Sequence, residues 1–332
     1  MSEGKPAGDS EAISPQEPGQ PQLAAPASGA TESRWKSEPI RRLLTAAVLV
    51  PAVLYLIVIG GLPYLVTVVA IILLGQREFY RLIEDKGAHP LVGLGLAAGA
   101  ALPVVAFVGN EYHATLLMTA SLLVLMVAQL RKAQITESLA SISGTFFGVF
   151  YIGWLLSHAV VLRHFHDAAI SKYGVEEVLF FKLEPGSGIF FMIFTLTVVV
   201  WCDAGAYFAG RAYGRRKLAP NISPGKTVEG ALGGLLGGIL AGLAAKALFA
   251  VFWPELAAAL PWRVVIPFAV VLAIAATIGD LVESLLKRDA KVKDTGALLP
   301  GMGGVLDRID SPLLAIPVMY YLLLGYLFVR LG

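Results

Sequence analysis

Residues 284–311 mix acidic and basic side chains in a way that suits the binding of metal and phosphate together. Five bases in this segment are enough to hold a polyphosphate, and its carboxylates are oxygen ligands of the kind that Mg²⁺ prefers. A patch that only attracts a lipid surface would need the bases alone. The mixed charge therefore predicts a metal ion together with phosphate groups. The side chains are Lys287, Arg288, Lys291, Lys293 and Arg308 with Asp294, Asp307 and Asp310.

Acids inside apolar runs extend this prediction. In ATIGDLVESLLKRD, the residues Asp280, Ser284 and Lys287 are spaced i, i+4 and i+7, so they share one helix face with Glu283. Asp203 lies at a similar depth inside another apolar run. The alternative is a Glu283–Lys287 ion pair that only neutralises itself. Because charge at membrane depth is costly and usually functional, we expect Asp203 and Asp280 to bind metal and Glu283 to orient the bases.

A second polar stretch, NISPGKTVEG at residues 221–230, partly matches a phosphate-binding P-loop. The Gly-Lys-Thr at 225–227 fits, but Pro220 replaces the first glycine and no strand is predicted before it. What remains is a lysine, Lys226, at the start of a predicted helix, whose N-terminus attracts anions. We expect Ser223 to donate a hydrogen bond to phosphate and Glu229 to orient the bases.

The composition predicts the elements that position these groups. Of 332 residues, 56% are hydrophobic and 15% charged, and the mean hydropathy is +0.71. Apolar runs of about 20 residues are long enough to span a bilayer as helices. The fold class is therefore an all-α, polytopic integral membrane protein. We predict nine spans, at residues 43–61, 62–83, 90–108, 114–130, 138–162, 187–212, 228–253, 263–287 and 311–331.

Two local signals refine the spans. Glycines at 230, 234, 238 and 242 recur every fourth residue, which lets two helix backbones touch. Internal packing is the favoured interpretation, and a subunit interface is the alternative. Ser311 followed by Pro312 is typical of an N-cap and first helical residue, so the last span is predicted to begin there, with Asp307 and Asp310 just ahead of it.

The ends of the chain and its charge indicate the topology. Residues 1–40 are rich in Pro, Gly, Ala, Ser and Glu and predict a disordered tail, which leaves 41–332 as the membrane-embedded domain. With the tail in the cytoplasm, 19 basic residues lie inside and five outside, which satisfies the positive-inside rule. Both polar stretches then face the cytoplasm. The net charge of +2 gives no footprint for nucleic acid, and a lone cysteine excludes an internal disulfide.

The pattern at residues 284–310 resembles the signature of phosphatidate cytidylyltransferases, also called CDP-diacylglycerol synthases. It reads Ser-x-Leu-Lys-Arg-x4-Lys-Asp-x-Gly-x2-Leu-Pro and then Gly-Gly-Val-x-Asp-Arg-Ile-Asp from Gly303 to Asp310. The stretch from Asp203 through residues 223–230 is also similar to that family. One position departs from the pattern, since Met302 stands where the family usually has histidine. We expect the family's enzymatic activity despite this change, because the transfer reaction described below needs no proton donor or acceptor at residue 302.

The resemblance implies the transfer of CMP from CTP to phosphatidic acid, giving CDP-diacylglycerol and pyrophosphate for phospholipid biosynthesis. It implies Mg²⁺ as cofactor, with a second cation allowed, a homodimer, and a multi-pass protein of the inner membrane whose active site faces the cytoplasm. The residues carried over are Asp280, Asp307, Lys287, Arg288, Lys293 and Arg308 as catalytic groups, Ser223, Lys226, Glu229, Ser284, Gly303 and Gly304 as substrate-binding groups, and Asp280, Asp307, Asp203, Asp294 and Asp310 as metal ligands.

Two other functions are open at this stage. A CTP-dependent kinase that acts on a polyprenol or similar lipid alcohol would need the same metal and nucleotide, but also a base for the hydroxyl group. A transporter would be a non-enzymatic alternative. It predicts internal repeats, which the sequence does not show, and charges near the midplane, whereas these charges crowd toward one side.

Overall fold

The computed structural model describes residues 45, 47–109, 111–132, 135–298 and 303–331. Helices make up most of this part, which confirms the all-α class. The predicted tail at 1–40 and residues 299–302, which include Met302, lie outside the described residues. The helices are α1 (Ala47–Ile59), α2 (Gly61–Glu84), α3 (Val92–Val108), α4 (Glu111–Leu130), α5 (Ser138–Arg163), α6 (Phe165–Tyr173), α7 (Val175–Phe180), α8 (Ser187–Tyr213), α9 (Val228–Phe252), α10 (Pro254–Ala257), α11 (Trp262–Asp289) and α12 (Leu306–Leu331).

Each of the nine predicted spans contains a helix, but the count of nine spans is not confirmed. Within the described residues, seven helices are long and apolar enough to cross a membrane: α2, α4, α5, α8, α9, α11 and α12. The helices α1 and α3 are apolar but shorter. Gly60, with φ of 66°, separates α1 from α2, and Gly61, with φ of 57°, is the first residue of α2. Glycine adopts such positive φ without strain.

The glycine stripe of α9 packs inside the chain, against α8. A Cβ atom added to Gly205 of α8 would lie 2.6 Å from the carbonyl oxygen of Gly233 in α9. One added to Gly237 would lie 2.7 Å from the carbonyl oxygen of Trp201. The two backbones are thus in direct contact, as the favoured interpretation of the stripe predicted. This contact brings the end of α8, with Asp203, close to the start of α9.

A short β-hairpin, which was not predicted from the sequence, joins α8 to α9. Strand β1 (Lys217–Ala219) pairs antiparallel with strand β2 (Ser223–Thr227), with Lys217 opposite Thr227. The Thr227 side chain then caps α9 by accepting a hydrogen bond of 3.1 Å from the backbone N–H of Gly230. The expectation that no strand precedes residues 221–230 was therefore wrong. The hairpin holds its residues in fixed positions at the helix start.

The last helix begins earlier than predicted. Helix α12 starts at Leu306, and Pro312 lies inside it, so the predicted start at Ser311 was wrong. The reason is a cap from another helix: the carboxylate of Glu78 in α2 accepts hydrogen bonds from the N–H groups of Val305 and Leu306, at 3.0 and 2.8 Å. The first N–H groups of a helix have no acceptor within the helix itself, so the Glu78 carboxylate stabilises a helix start at Leu306. Asp307 consequently lies in its first turn.

The surface of the bundle is apolar where a bilayer would surround it. On α9, Leu232, Leu236 and Leu240 are about 60% exposed and repeat every fourth residue, opposite the packed glycines. Exposed leucines in such a row would be unfavourable in water, but they are satisfied by acyl chains. The chain is a multi-pass membrane protein.

Candidate active site

The predicted face of α11 is confirmed as one continuous polar surface. The Ser284 hydroxyl donates to Asp280 at 3.4 Å, and the Lys287 ammonium lies 2.5 Å from the carboxylate of Glu283. Glu283 is 1% exposed in its side chain, so its partner lysine is essential to its burial. One helical face therefore carries acid, hydroxyl and base groups in the order that the spacing indicated.

Three carboxylates converge next to this face. One oxygen from each of Asp280, Glu283 and Asp310 can be chosen so that all lie within 4.8 Å of one another. We call these three residues the acid cluster. Oxygen donors at such spacing fit a hard divalent cation such as Mg²⁺. Asp280 and Asp310 were predicted as ligands, whereas Glu283 was predicted only to orient the bases.

Two lysines flank the acid cluster from different elements. Lys226, from strand β2, lies 2.7 Å from the Asp280 carboxylate. Lys287, on α11, bonds to Glu283 and also donates to Asp307 at 2.9 Å. The hairpin and the end of α11 are thereby joined across the site. A cation on each side of clustered acids is an arrangement that can accept both a metal ion and phosphate oxygens.

Asp307 is held by the protein itself. Its carboxylate accepts hydrogen bonds from the Lys287 side chain, from the backbone N–H of Thr295 at 3.1 Å and from that of Gly304 at 2.8 Å. Gly303, with φ of 85°, allows the sharp approach, since an added Cβ atom would lie 2.7 Å from an Asp307 oxygen. Asp307 is not part of the acid cluster. Its role as a metal ligand stays a prediction.

The remaining predicted residues form the rim of the site. Asp203 is exposed on α8, and it lies close enough to Asp280, Lys226 and Arg308 to interact with their charges. Arg288 donates to the carbonyl oxygen of Ile222 at 3.3 Å and so contacts the hairpin. Others predicted as ligands or bases, namely Lys293, Asp294 and Arg308, are exposed.

Ser223 and Glu229 have local roles in the hairpin. Ser223 lies at the start of β2, opposite Ala219. The Glu229 carboxylate accepts backbone hydrogen bonds from Arg215 and Arg216, at 3.0 and 3.1 Å, and so fixes the entry to the hairpin. Substrate binding by these two side chains stays a prediction.

Glu78, a buried acid that was not predicted as a site residue, joins Thr295 to the start of α12. It is 5% exposed, and besides capping α12 it accepts a hydrogen bond of 3.1 Å from the hydroxyl of Thr295. A Cβ atom added to Gly296 would lie 2.5 Å from its carboxylate, so the loop backbone packs directly on it. A signal existed, because an acid inside a predicted span is unusual. Arg77 and Arg81 beside it made the segment resemble a solvated helix end.

The fold and the site together define a class: a polytopic helical membrane protein with clustered carboxylates and lysines at one end of the bundle. The cytidylyltransferase family matches residues 40–326, which is most of the chain. The chain therefore belongs to the cytidylyltransferase family.

Individual relatives support the same assignment. The chain is 31% identical over 292 residues to the phosphatidate cytidylyltransferase of Synechocystis sp., covering 85% of this chain and 96% of the relative. It is also 31% identical over 293 residues to that of Bacillus subtilis, covering 85% and 97%. With the Pseudomonas aeruginosa protein of the same name, identity rises to 47% over 133 residues, or 40% of this chain and 47% of that one. The similarity to the first two spans nearly their whole length.

Proposed function

We propose that this protein transfers CMP from CTP to phosphatidic acid, producing CDP-diacylglycerol and pyrophosphate in phospholipid biosynthesis. The observation that carries the proposal is the acid cluster, flanked by Lys226 and Lys287, at one end of a membrane bundle in a chain of the cytidylyltransferase family. The relatives named above are phosphatidate cytidylyltransferases. A lipid substrate explains why such a site would be built at the membrane.

The chemistry asks for charge neutralisation more than for proton transfer. The nucleophile would be a phosphate oxygen of the lipid, and a phosphomonoester with a second pKa of about 6 is already an anion at neutral pH. No general base is needed. The obstacle is repulsion between two polyanions, and positioning together with electrostatic stabilisation overcomes it in phosphoryl-type transfer. The absence of the family histidine at Met302 is compatible with this chemistry.

The carboxylates of Asp280, Glu283 and Asp310 would hold the Mg²⁺ ion, since their oxygens already lie within 4.8 Å of one another. When bound, the ion supplies Lewis acidity and a template for the CTP phosphates. Asp203, which is exposed and within electrostatic range of Asp280, would serve a second cation. Asp294 and Asp307 are retained as further candidate ligands from the resemblance.

The bases would stabilise the triphosphate and the departing pyrophosphate. Lys226 and Lys287 are each bonded to a carboxylate, so a cation bound by those acids would free their ammonium groups to contact phosphate oxygens. The exposed Arg288, Lys293 and Arg308 would extend the positive surface toward solvent. Ser223, Ser284 and the N–H groups at Gly303 and Gly304 would add hydrogen bonds.

The site is proposed to face the cytoplasm, from the inner membrane of the cell. The support is the distribution of charge, with 19 basic residues on the proposed inner side and five on the outer side. CTP is a cytoplasmic nucleotide, so this orientation also gives it access. A homodimer is proposed on the resemblance alone, and the mass of the purified protein in detergent, measured by light scattering, would test it.

Radiolabelled CTP distinguishes the proposed reaction from its closest alternative. Purified protein in bilayer discs that contain both phosphatidate and a polyprenol would be incubated with Mg²⁺ and CTP labelled at either the α- or the γ-phosphate. A cytidylyltransferase places the α label in lipid and releases the γ label as pyrophosphate. A CTP-dependent lipid kinase would place the γ label in lipid, and that outcome would refute the proposal. A chelator should stop the transfer, and added Mg²⁺ should restore it.

A further inference from the structure

Helix α5 contains one turn of π-helix, at Val149–Trp154. Single π turns within α-helices occur frequently at functional sites, because the extra residue reorients a side chain. Tyr151 lies in this turn and is 4% exposed. Its ring stacks on Phe147, with centroids 5.2 Å apart and an interplanar angle of 4°. The phenol is therefore held in a fixed orientation.

The hydroxyl group of Tyr151 is buried without a hydrogen-bond partner among the described residues. Two other buried tyrosines of the bundle behave differently. Tyr64 donates to the carbonyl oxygen of Ala159 at 3.2 Å, and Tyr80 donates to that of Thr145 at 3.0 Å. A buried polar group left unpaired costs free energy in the folded state. The fold itself thus gains nothing from the Tyr151 oxygen, whereas it uses the other two.

The π turn is adjacent to the acid cluster. Ile152, the next residue, and Ile309, which precedes Asp310, both pack against Gly75 of α2: an added Cβ atom there would lie 3.5 and 3.4 Å from them. Tyr151 is also within reach of the charges of Glu283 and Asp310. An unpaired O–H group within electrostatic range of carboxylates that could hold a cation can donate to an anion bound by that cation.

We propose that the Tyr151 hydroxyl donates a hydrogen bond to a phosphate oxygen of a substrate bound at the acid cluster. This inference deepens the proposed function and rests on it. The phosphate has two sources, the CTP chain and the phosphatidate headgroup, which present the same acceptor. Tyr151 would act by positioning that group, and its bond would form only when substrate is present.

Replacement by phenylalanine tests this role, because it removes the oxygen and keeps the ring. The full-length wild type, Tyr151→Phe and the matched control Tyr80→Phe would be purified in phosphatidylcholine bilayer discs. Three quantities would be measured for each: the thermal unfolding midpoint without substrate, its rise with Mg²⁺ and CTP or with phosphatidate in the disc, and kcat/KM for liponucleotide synthesis. If only one of the two ligands no longer raises the unfolding midpoint of Tyr151→Phe, the phosphate of that ligand is the one that Tyr151 binds.

The two variants are expected to differ in which property they lose, thermal stability or kcat/KM. Tyr151→Phe should keep or raise the substrate-free midpoint, yet lower kcat/KM about tenfold or more, as expected for loss of a hydrogen bond to a charged group. Tyr80→Phe should lower the midpoint and leave kcat/KM unchanged. Should the wild type make no liponucleotide while Tyr151→Phe still loses a ligand-induced rise, the proposed reaction fails and the binding role stands. Wild-type values of both ligand-induced rises and kcat/KM in Tyr151→Phe would overturn the inference.

Discussion

Charged side chains within this bundle have different surroundings in two regions. Far from the site, Lys246 is 5% exposed and donates to the carbonyl oxygen of Ala257, and Arg163 donates to those of Ile57 and Val58. Each of these cations caps the C-terminus of a helix, where the last carbonyl groups have no hydrogen-bond donor within the helix. At the site, by contrast, three carboxylates gather within 4.8 Å of one another.

The contrast separates charged groups that stabilise the fold from charged groups that can bind a ligand. A single cation bonded to backbone carbonyls stabilises the fold and leaves no group for a ligand. Clustered like charges repel one another, so the protein keeps them together only at a cost, and a bound cation removes that repulsion. The aromatic rings of Phe190 and Trp262, 5.7 and 5.8 Å from the Lys246 ammonium, complete its environment without any ligand.

The largest effect is expected from Asp280→Asn, which breaks the acid cluster. We expect liponucleotide synthesis to fall by about three orders of magnitude, since a metal contributes several kcal/mol to transition-state stabilisation. Asp289→Asn is the matched control on the same helix, because Asp289 pairs only with Lys86 on the surface among the described contacts. Initial rates of both variants would be measured at saturating CTP, and their folding would be checked by size-exclusion chromatography. Equal rates in Asp280→Asn and the control would remove Asp280 from the site.

Lys226→Met should have the next largest effect. Removal of one positioned cation from a phosphoryl-type site is expected to lower the rate about a hundredfold. Lys226→Arg keeps the charge and should recover part of the loss, although its planar group differs in shape from an ammonium. Steady-state kinetics of both variants across CTP concentrations would measure this. A Lys226→Met enzyme with the wild-type rate would show that the hairpin only positions α9.

Glu78→Gln tests the acid that joins the signature loop to α2. Because backbone donors at Val305 and Leu306 would lose a charged acceptor, we expect the free energy of unfolding to fall by about 1–3 kcal/mol. Activity should drop about tenfold to a hundredfold, as is usual when support for a metal site is lost. Chemical denaturation and kinetics would be compared with Glu84→Gln, an exposed acid of the same helix. Full stability together with full activity would contradict this role.

The smallest effect on activity is expected at the distant cation. Lys246→Met replaces the ammonium by an apolar group of similar length, leaving the Ala257 carbonyl without its donor. We expect a loss of about 1–2 kcal/mol in stability and a rate within about twofold of wild type. Thermal unfolding and the liponucleotide assay would measure both. A large loss of activity in a folded Lys246→Met protein would erase the distinction between the two regions.

Local sequence features predicted a large part of this protein. Each predicted span contains a helix because apolar runs of that length have no other stable form in lipid. The i, i+4, i+7 face of Asp280, Ser284 and Lys287 follows from helical geometry alone. The glycine repeat of α9 likewise predicted a close helix contact, and the packing against α8 confirmed it. The family signature at 284–310 indicated the chemistry.

Contacts between residues far apart in the chain could not be predicted from local sequence. Glu78 and Leu306 are separated by 228 positions in the chain, and no local periodicity indicates that one caps the other. The same contact moved the start of α12 ahead of Ser311 and so set Asp310, rather than Asp307, beside Asp280. A sequence specifies each helix through neighbours three or four residues away, whereas a site arises where separate helices cross, and packing of the whole bundle determines those crossings.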